Sequence, residues 1–219
     1  MGEEATTRDQ KKAARVGGLV LFADEASFWL DGTLHQTWSR IGEQPRVDTY
    51  GLRKTAHVFG ALAVEDAKFH YRFADVFNGR TFLAFLRQLV AYHRRKLFLI
   101  IDNGPCHNLD ADGQAWLKDN RRRVELFRLP AYSPDLNAIE GAWKKTRKMA
   151  THNRFYATTA DRDRALRRTF RAFRRRPSLL DSLVRRFRRS DLARPPPKEG
   201  GRGVGVTRRR RAALQRGRR

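Results

Sequence analysis

A single cysteine, Cys106, stands among 219 residues, which excludes an internal disulfide framework and a multi-cysteine zinc site. That usage fits a reducing interior. Long hydrophobic runs are also missing: no apolar stretch approaches the ~20 residues needed to cross a bilayer. The start, MGEEATTRDQKKAARVGG, is polar and holds acids, unlike a signal peptide, so the expectation is a cytoplasmic protein with no membrane partner. Acidic residues are scarcest in the second half. Residues 121–219 hold 8 Asp/Glu against 31 Lys/Arg, whereas residues 1–120 hold 15 against 16. The formal charge of +24 therefore belongs to the second half, much of it in arginine runs at 174–176, 185–189 and 208–211. The guanidinium fork suits phosphate oxygens, so a polyanionic partner follows, with nucleic acid ahead of membrane. Arginine-rich codon usage on a solvated surface is the plainer alternative, and it accounts poorly for the nearly neutral first half.

The chain length suits one domain of ordinary size. LVLFAD, 19–24, reads as a buried strand ending in an acid, followed by a hairpin with Asp31-Gly32 at its turn. HVFGALAV, 57–64, and the alternating KFHYRF, 68–73, read as further antiparallel strands. The period then changes. Residues 81–95 place Phe82, Phe85, Leu86, Leu89 and Val90 on one helical face behind Thr81 as N-cap. KLFLIIDN, 96–103, reads as a central strand covered on both faces, again ending in an acid. A helix over 111–121, a strand over 124–130 closed by Pro130, and a helix from Asn137 to about 149 complete this part. Beyond Thr159, Leu166, Phe170 and Phe173 form a narrow apolar stripe among arginines, and Pro177 divides the segment into two amphipathic helices. Residues 193–219 are rich in Pro, Gly and Arg without apolar period, which predicts disorder until a polyanion is met.

Asp24 and Asp102 each end a predicted buried strand, where open α/β sheets place their chemistry. Glu140 stands near the start of a helix. If the two strands lie side by side and the helix crosses their edge, three carboxylates converge. Crowded carboxylates repel, so such a cluster needs raised pKa values or bound cations, and hard oxygen ligands suit Mg²⁺ or Mn²⁺. Two such ions would clamp the attacking and leaving oxygens of a phosphodiester. Each acid also has a plainer role. Asp24 could open a hairpin, with Glu25 competing for the inward position. Asp102 with Asn103-Gly104-Pro105 is ordinary turn chemistry. Asn137 and Glu140 have the spacing of a reciprocal capping box.

LVLFADEASFWL, LFLIIDNGPCH and LFRLPAYSPDLNAIEGAWKKTRK resemble, in that order, the three signature blocks of the DDE transposases of the bacterial IS630 group, relatives of the eukaryotic Tc1/mariner elements. YSPDLNAIE followed by Trp143 is the most specific block. The resemblance covers about 19–150, and 37 residues separate Asp102 from Glu140, a little long for the family. It implies an α/β fold: an RNase H-like mixed sheet, antiparallel hairpin strands plus parallel strands, flanked by helices, here with a C-terminal basic helical extension. It implies Asp24, Asp102 and Glu140 as catalytic metal ligands for Mg²⁺ or Mn²⁺. The activity implied is DNA strand cleavage and strand transfer at transposon ends, with a TA target and a homodimer bridging two duplex ends at the bacterial nucleoid. His107, which the family often has, is a candidate for touching a DNA phosphate or orienting water. Lys144, Lys145, Arg147 and Lys148 follow Glu140 along its helix and are candidates for DNA backbone contact, against a solvated helix face. Asn103 and the Ser-Pro-Asp turn at Asp135 are taken as structural, and Tyr132, Trp143, Trp29 and Trp38 as packing residues.

The expected division is a lead-in over 1–18, a catalytic domain over 19–152, basic helices over 153–190 and a tail over 191–219. A complete family member would carry an N-terminal helix-turn-helix reader, for which 18 residues are too few; the expectation is one frame of a frameshifted product, a truncated remnant or an excised domain. The reading from a different class is a non-catalytic basic DNA-binding protein. A ribonuclease H on the same fold is disfavoured by the YSPDLNAIE block.

Overall fold

The computed structural model describes Ala13 and residues 17–43, 45–49, 51, 54–130 and 136–188. Tyr132, Asp135 and the arginine-rich segment from 189 onward lie outside the described residues, as does most of the lead-in. Five strands form one sheet in the order β3-β2-β1-β4-β5. They are β1 (Leu19–Trp29), β2 (Thr55–Ala63), β3 (Phe69–Ala74), β4 (Leu97–Ile101) and β5 (Val124–Arg128). β1, β2 and β3 pair antiparallel, whereas β4 is parallel to both β1 and β5. The mixed sheet expected from the sequence is present. Every residue of β4 is buried, as a strand with neighbours on both sides and helices on both faces requires.

Side-chain alternation along β1 divides the core. Leu19, Leu21 and Ala23 face α1 (Gly79–Tyr92) and α2 (Ala111–Asp119), where Phe59 stacks on Phe85 at 5.8 Å. Phe22, Ala26 and Phe28 face α3 (Ile139–Thr146), α4 (Thr159–Arg175) and α5 (Ser178–Val184). Pro177 separates the last two helices as predicted, and the apolar stripe Leu166, Phe170, Phe173 lies fully in the core. The basic helices are thus built onto the sheet rather than appended to it.

Three local expectations need correction. β1 does not stop at Asp24 but runs to Trp29, and its antiparallel partner is β2 rather than a strand after Asp31-Gly32. Gly32 instead passes so close to another segment that a Cβ there would lie 2.3 and 2.4 Å from the carbonyl oxygens of Thr151 and Arg154. Asn153 and His35 exchange two hydrogen bonds of 2.8 Å beside it. Held in this way, the chain does not fold back on β1. Trp38 is 100% exposed and Trp29 more than half exposed, so neither is a packing residue. Finally, α1 begins two residues before Thr81. Asn78 is the N-cap, accepting from the Thr81 backbone N–H at 2.9 Å, while the Thr81 hydroxyl accepts from the Asn78 N–H at 3.1 Å.

Phe170 packs its ring against Phe28, Phe69, Tyr71 and Trp143 and is fully buried. Phe170→Ala is expected to lower the unfolding free energy by about 3–5 kcal/mol through lost transfer energy and a residual cavity. Urea unfolding checks this as a lower midpoint at unchanged slope.

Candidate active site

The parallel register of β1 and β4 runs from Leu19↔Leu97 to Phe22↔Ile100, and β4 ends at Ile101. Asp102 therefore leaves the sheet beside Asp24, which sits on β1 just past the last parallel pair. Asp24 belongs to the site because its neighbour strand ends, not because its own does. On its other side Asp24 pairs with Gly60 of β2. A Cβ on Gly60 would lie 2.4 Å from the Trp143 ring, so glycine is what lets the indole close onto the sheet. From there Trp143 Nε1 donates to Asp24 Oδ2 at 3.3 Å. Asp24 is only 7% exposed. Burial, then the charges of Glu25 and Glu140 with a smaller part from Asp102, pushes its pKa up to about 7.

Oxygens of Asp24, Glu25 and Asp102 lie within 4.8 Å of one another. Asp24 and Glu25 leave β1 on opposite faces, and Glu25 meets Cys106 and His107. His107, 2% exposed, is lodged between two carboxylates: Nδ1 is 2.8 Å from Asp102 Oδ1 and Nε2 is 3.2 Å from Glu25 Oε2. Neither ring nitrogen meets strict hydrogen-bond alignment, but both lie within contact distance of a carboxylate oxygen. Burial alone would depress the imidazole pKa, but Glu25 and then the charges of Asp102 and Asp24 raise it above the ordinary value. Burial likewise pushes the Glu25 carboxyl up, and His107 more than reverses that. The Cys106 thiol is driven up by burial and by Glu25, which keeps it protonated and unreactive. Asp102 is fixed further by the Gly104 N–H at 2.8 Å, and Asn103 donates to the Leu129 carbonyl at 2.9 Å, a structural role.

Glu140 lies in the first turn of α3. It stands outside the 4.8 Å group, yet its charge acts on Asp24. The capping-box reading does not hold. The N-cap position falls on Ala138 and no side chain caps the helix; Asn137 is buried, with its side-chain oxygen unpaired. The Glu140 carboxylate is therefore not consumed at the helix end.

The five residues expected to meet DNA separate into two groups. Lys144 and Lys148 are exposed. Lys145 donates to the Leu179 carbonyl, and the Arg147 guanidinium lies over the Phe28 ring at 5.6 Å. His107 is enclosed by the acids and by Phe82, whose ring is 4.6 Å away. Sequence reasoning missed Glu25 as a member of the acid group and Trp143 as a donor to Asp24. The adjacency of two acids in ADE was the one available signal for the first, and nothing local signals the second.

A buried carboxyl with a raised pKa, two further carboxylates close by and a fourth on the facing helix make an all-oxygen donor set that fits a hard divalent cation. These features define the class: an RNase H-like sheet carrying a carboxylate centre where its parallel strands end. Residues 19–161 match the DDE superfamily endonucleases, and the chain belongs to that family. The Mos1 strand transfer complex shares the fold with a TM-score of 0.58 at 14% identity, covering 85% of this chain and 59% of that one. The Mos1 mariner paired end complex with Mn gives 0.55 at 14% identity, covering 85% and 60%. A pre-cleavage Mos1 transpososome gives 0.54 at 15%, covering 87% and 64%. The chain thus spans less than two thirds of the length of these transposase chains. No curated protein sequence matches it. Among the described residues no helix is long and apolar enough to cross a membrane.

The raised pKa of Asp24 sets a sign for pH dependence. Unfolded, it ionises near 3.8; folded, near 7. Below the lower value both states are neutral and the stabilising contribution is complete; it is lost as pH rises from one value to the other. In divalent-free buffer, Asp24→Asn should therefore gain on the parent protein by up to about 4 kcal/mol between pH 4 and 7. Urea midpoints across that range measure it. Mg²⁺ at pH 7 should stabilise the parent and leave the variant nearly unchanged.

Proposed function

We propose that this chain is the catalytic domain of an IS630-group, Tc1/mariner-like DNA transposase. In this reading Asp24, Asp102 and Glu140 hold two Mg²⁺ or Mn²⁺ ions. The observation that carries it is the grouping of Asp24 with Asp102 where β4 ends, around a carboxyl buried at energetic cost on which the charge of Glu140 from α3 also acts. A protein that only bound DNA would have no use for Asp24 in that position, which favours catalysis over the inert basic remnant. Complexes of Mos1 with Mn and with Mg accord with the choice of ions.

When bound, such ions supply positive charge to both the attacking and the leaving oxygen of an in-line displacement at phosphorus. The chain's own residues position that chemistry. Trp143 fixes the Asp24 carboxylate against the sheet. His107 and the Gly104 N–H hold Asp102 from behind, leaving nearly half of its side chain open to substrate. Glu140 approaches from the facing helix, and Lys144 and Lys148 place two cations beyond it for the DNA backbone. Water attack on a phosphodiester at an element end breaks one P–O bond and frees a 3′-hydroxyl. That hydroxyl then attacks a phosphodiester of target DNA, at a TA dinucleotide, so one bond forms as another breaks and no covalent protein intermediate arises. Two copies of the chain bridge two element ends, acting at the bacterial nucleoid in the cytoplasm.

Nicking and end joining of a duplex with Mn²⁺ or Mg²⁺ test this. Asp102→Asn and Glu140→Gln should each lower the rate by at least about 10³-fold, as loss of ionic stabilisation at the reacting centre implies, with DNA affinity unchanged. Metal-dependent cleavage that survives in Glu140→Gln would overturn the assignment.

A further inference from the structure

We propose that the outward face of α4 is a track for the duplex DNA backbone, separate from the acid centre; the choice of DNA as occupant rests on the function proposed above. Arg164, Arg168, Arg171 and Arg175 follow one another at spacings of four, three and four residues, which places them on one side of a helix. All four are exposed, and with Arg176 they line a shallow cleft of about 390 Å³. A second cleft, of about 310 Å³, shares Arg171 and Arg175 and extends to Lys68, His70 and Tyr92 at the sheet edge. The two clefts make one continuous basic surface.

The charge on this face is not balanced from within. From Arg164 to Arg176 the sequence contains seven arginines and no acid. Among the described residues only Arg164 of these seven has a carboxylate partner, Asp161 at 3.3 Å. Like charges three and four apart on a helix each cost a few tenths of a kcal/mol, so α4 carries a repulsion that a polyanion would relieve. Nor is the face loose. Leu166, Phe170 and Phe173 seat the helix in the core, and at its start the buried Arg162 donates to the carbonyls of Phe28 and Lys54 at 3.2 and 2.8 Å. The arginines are thus presented on a rigid rod. From Arg164 to Arg175 it spans about 16 Å, a length of duplex carrying roughly ten phosphates.

Binding of the full chain to a duplex of about 30 base pairs, read by fluorescence anisotropy across a NaCl series without divalent metal, tests the proposal. The Asp102→Asn background removes cleavage from the measurement. Arg168→Gln/Arg171→Gln/Arg175→Gln should weaken binding at least tenfold near 100 mM salt. It should also flatten the slope of log affinity against log salt by about 2 to 3, one counterion step per lost contact. The corresponding triple Lys variant, which keeps the charge, should retain the parental slope. An unchanged slope in the Gln variant overturns the proposal. Equal losses in both variants also overturn it, since a damaged helix would then be the cause. So does a Gln variant that loses binding to phosphatidylserine vesicles but not to duplex, which would make the face a membrane surface. None of these readings involves cleavage, so failure of the carboxylate assignment, seen in nicking assays, stays distinguishable from failure here.

Discussion

The parallel pairing of β1 with β4 stops at Phe22 and Ile100 while β1 continues for seven more residues. That mismatch in strand length governs the centre. A parallel neighbour running alongside would have covered Asp24 with backbone; its early end leaves room at the sheet edge, and Asp102 arrives there as the first residue past β4. The same edge receives α3 from one face and the Glu25–His107 contact from the other. The carboxylates come from three separate places, Asp24 and Glu25 from β1, Asp102 from the end of β4 and Glu140 from α3, so the mutual repulsion they accumulate is held in place by the fold rather than avoided by it.

Two features keep that repulsion tolerable. His107, lodged between Asp102 and Glu25, is the nearest group able to offset their charge when protonated, and is itself enclosed. Gly60 is the second. By offering no Cβ opposite Asp24, it lets Trp143 pack directly on β2, so that one side chain both fills the core and gives Asp24 a donor. Trp143 also touches Phe28, Phe69 and Phe170, tying the carboxylate centre to the packing of α4. The arginine face of α4 therefore has a fixed position relative to the acids, because both rest on one hydrophobic cluster.

Much of the fold was legible. The change from alternating to helical period after residue 74, the wholly apolar LFLII and the break at Pro177 report local burial, and local burial is what periodicity records. What misled were residues whose role depended on a remote segment. Asp31-Gly32 looks like a hairpin turn, but Gly32 is needed for a close approach to Thr151 and Arg154. Trp38 looks like core, yet it stands on a segment held by hydrogen bonds to Asn153 and fully exposed. Asn137 and Glu140 have the spacing of a capping box, but the helix begins too late for Asn137 to cap it.

By itself, the sequence determined the alternation of strand and helix, the placing of acids at Asp24, Asp102 and Glu140, and the concentration of positive charge in the second half. These are properties of neighbouring residues. Only the tertiary structure decided that Glu25 joins the acid group, that Trp143 serves Asp24, that His107 faces inward, and that the exposed arginines of α4 stand on a helix seated in the core. Those outcomes depend on distances between segments far apart in the chain, and such distances are set by packing.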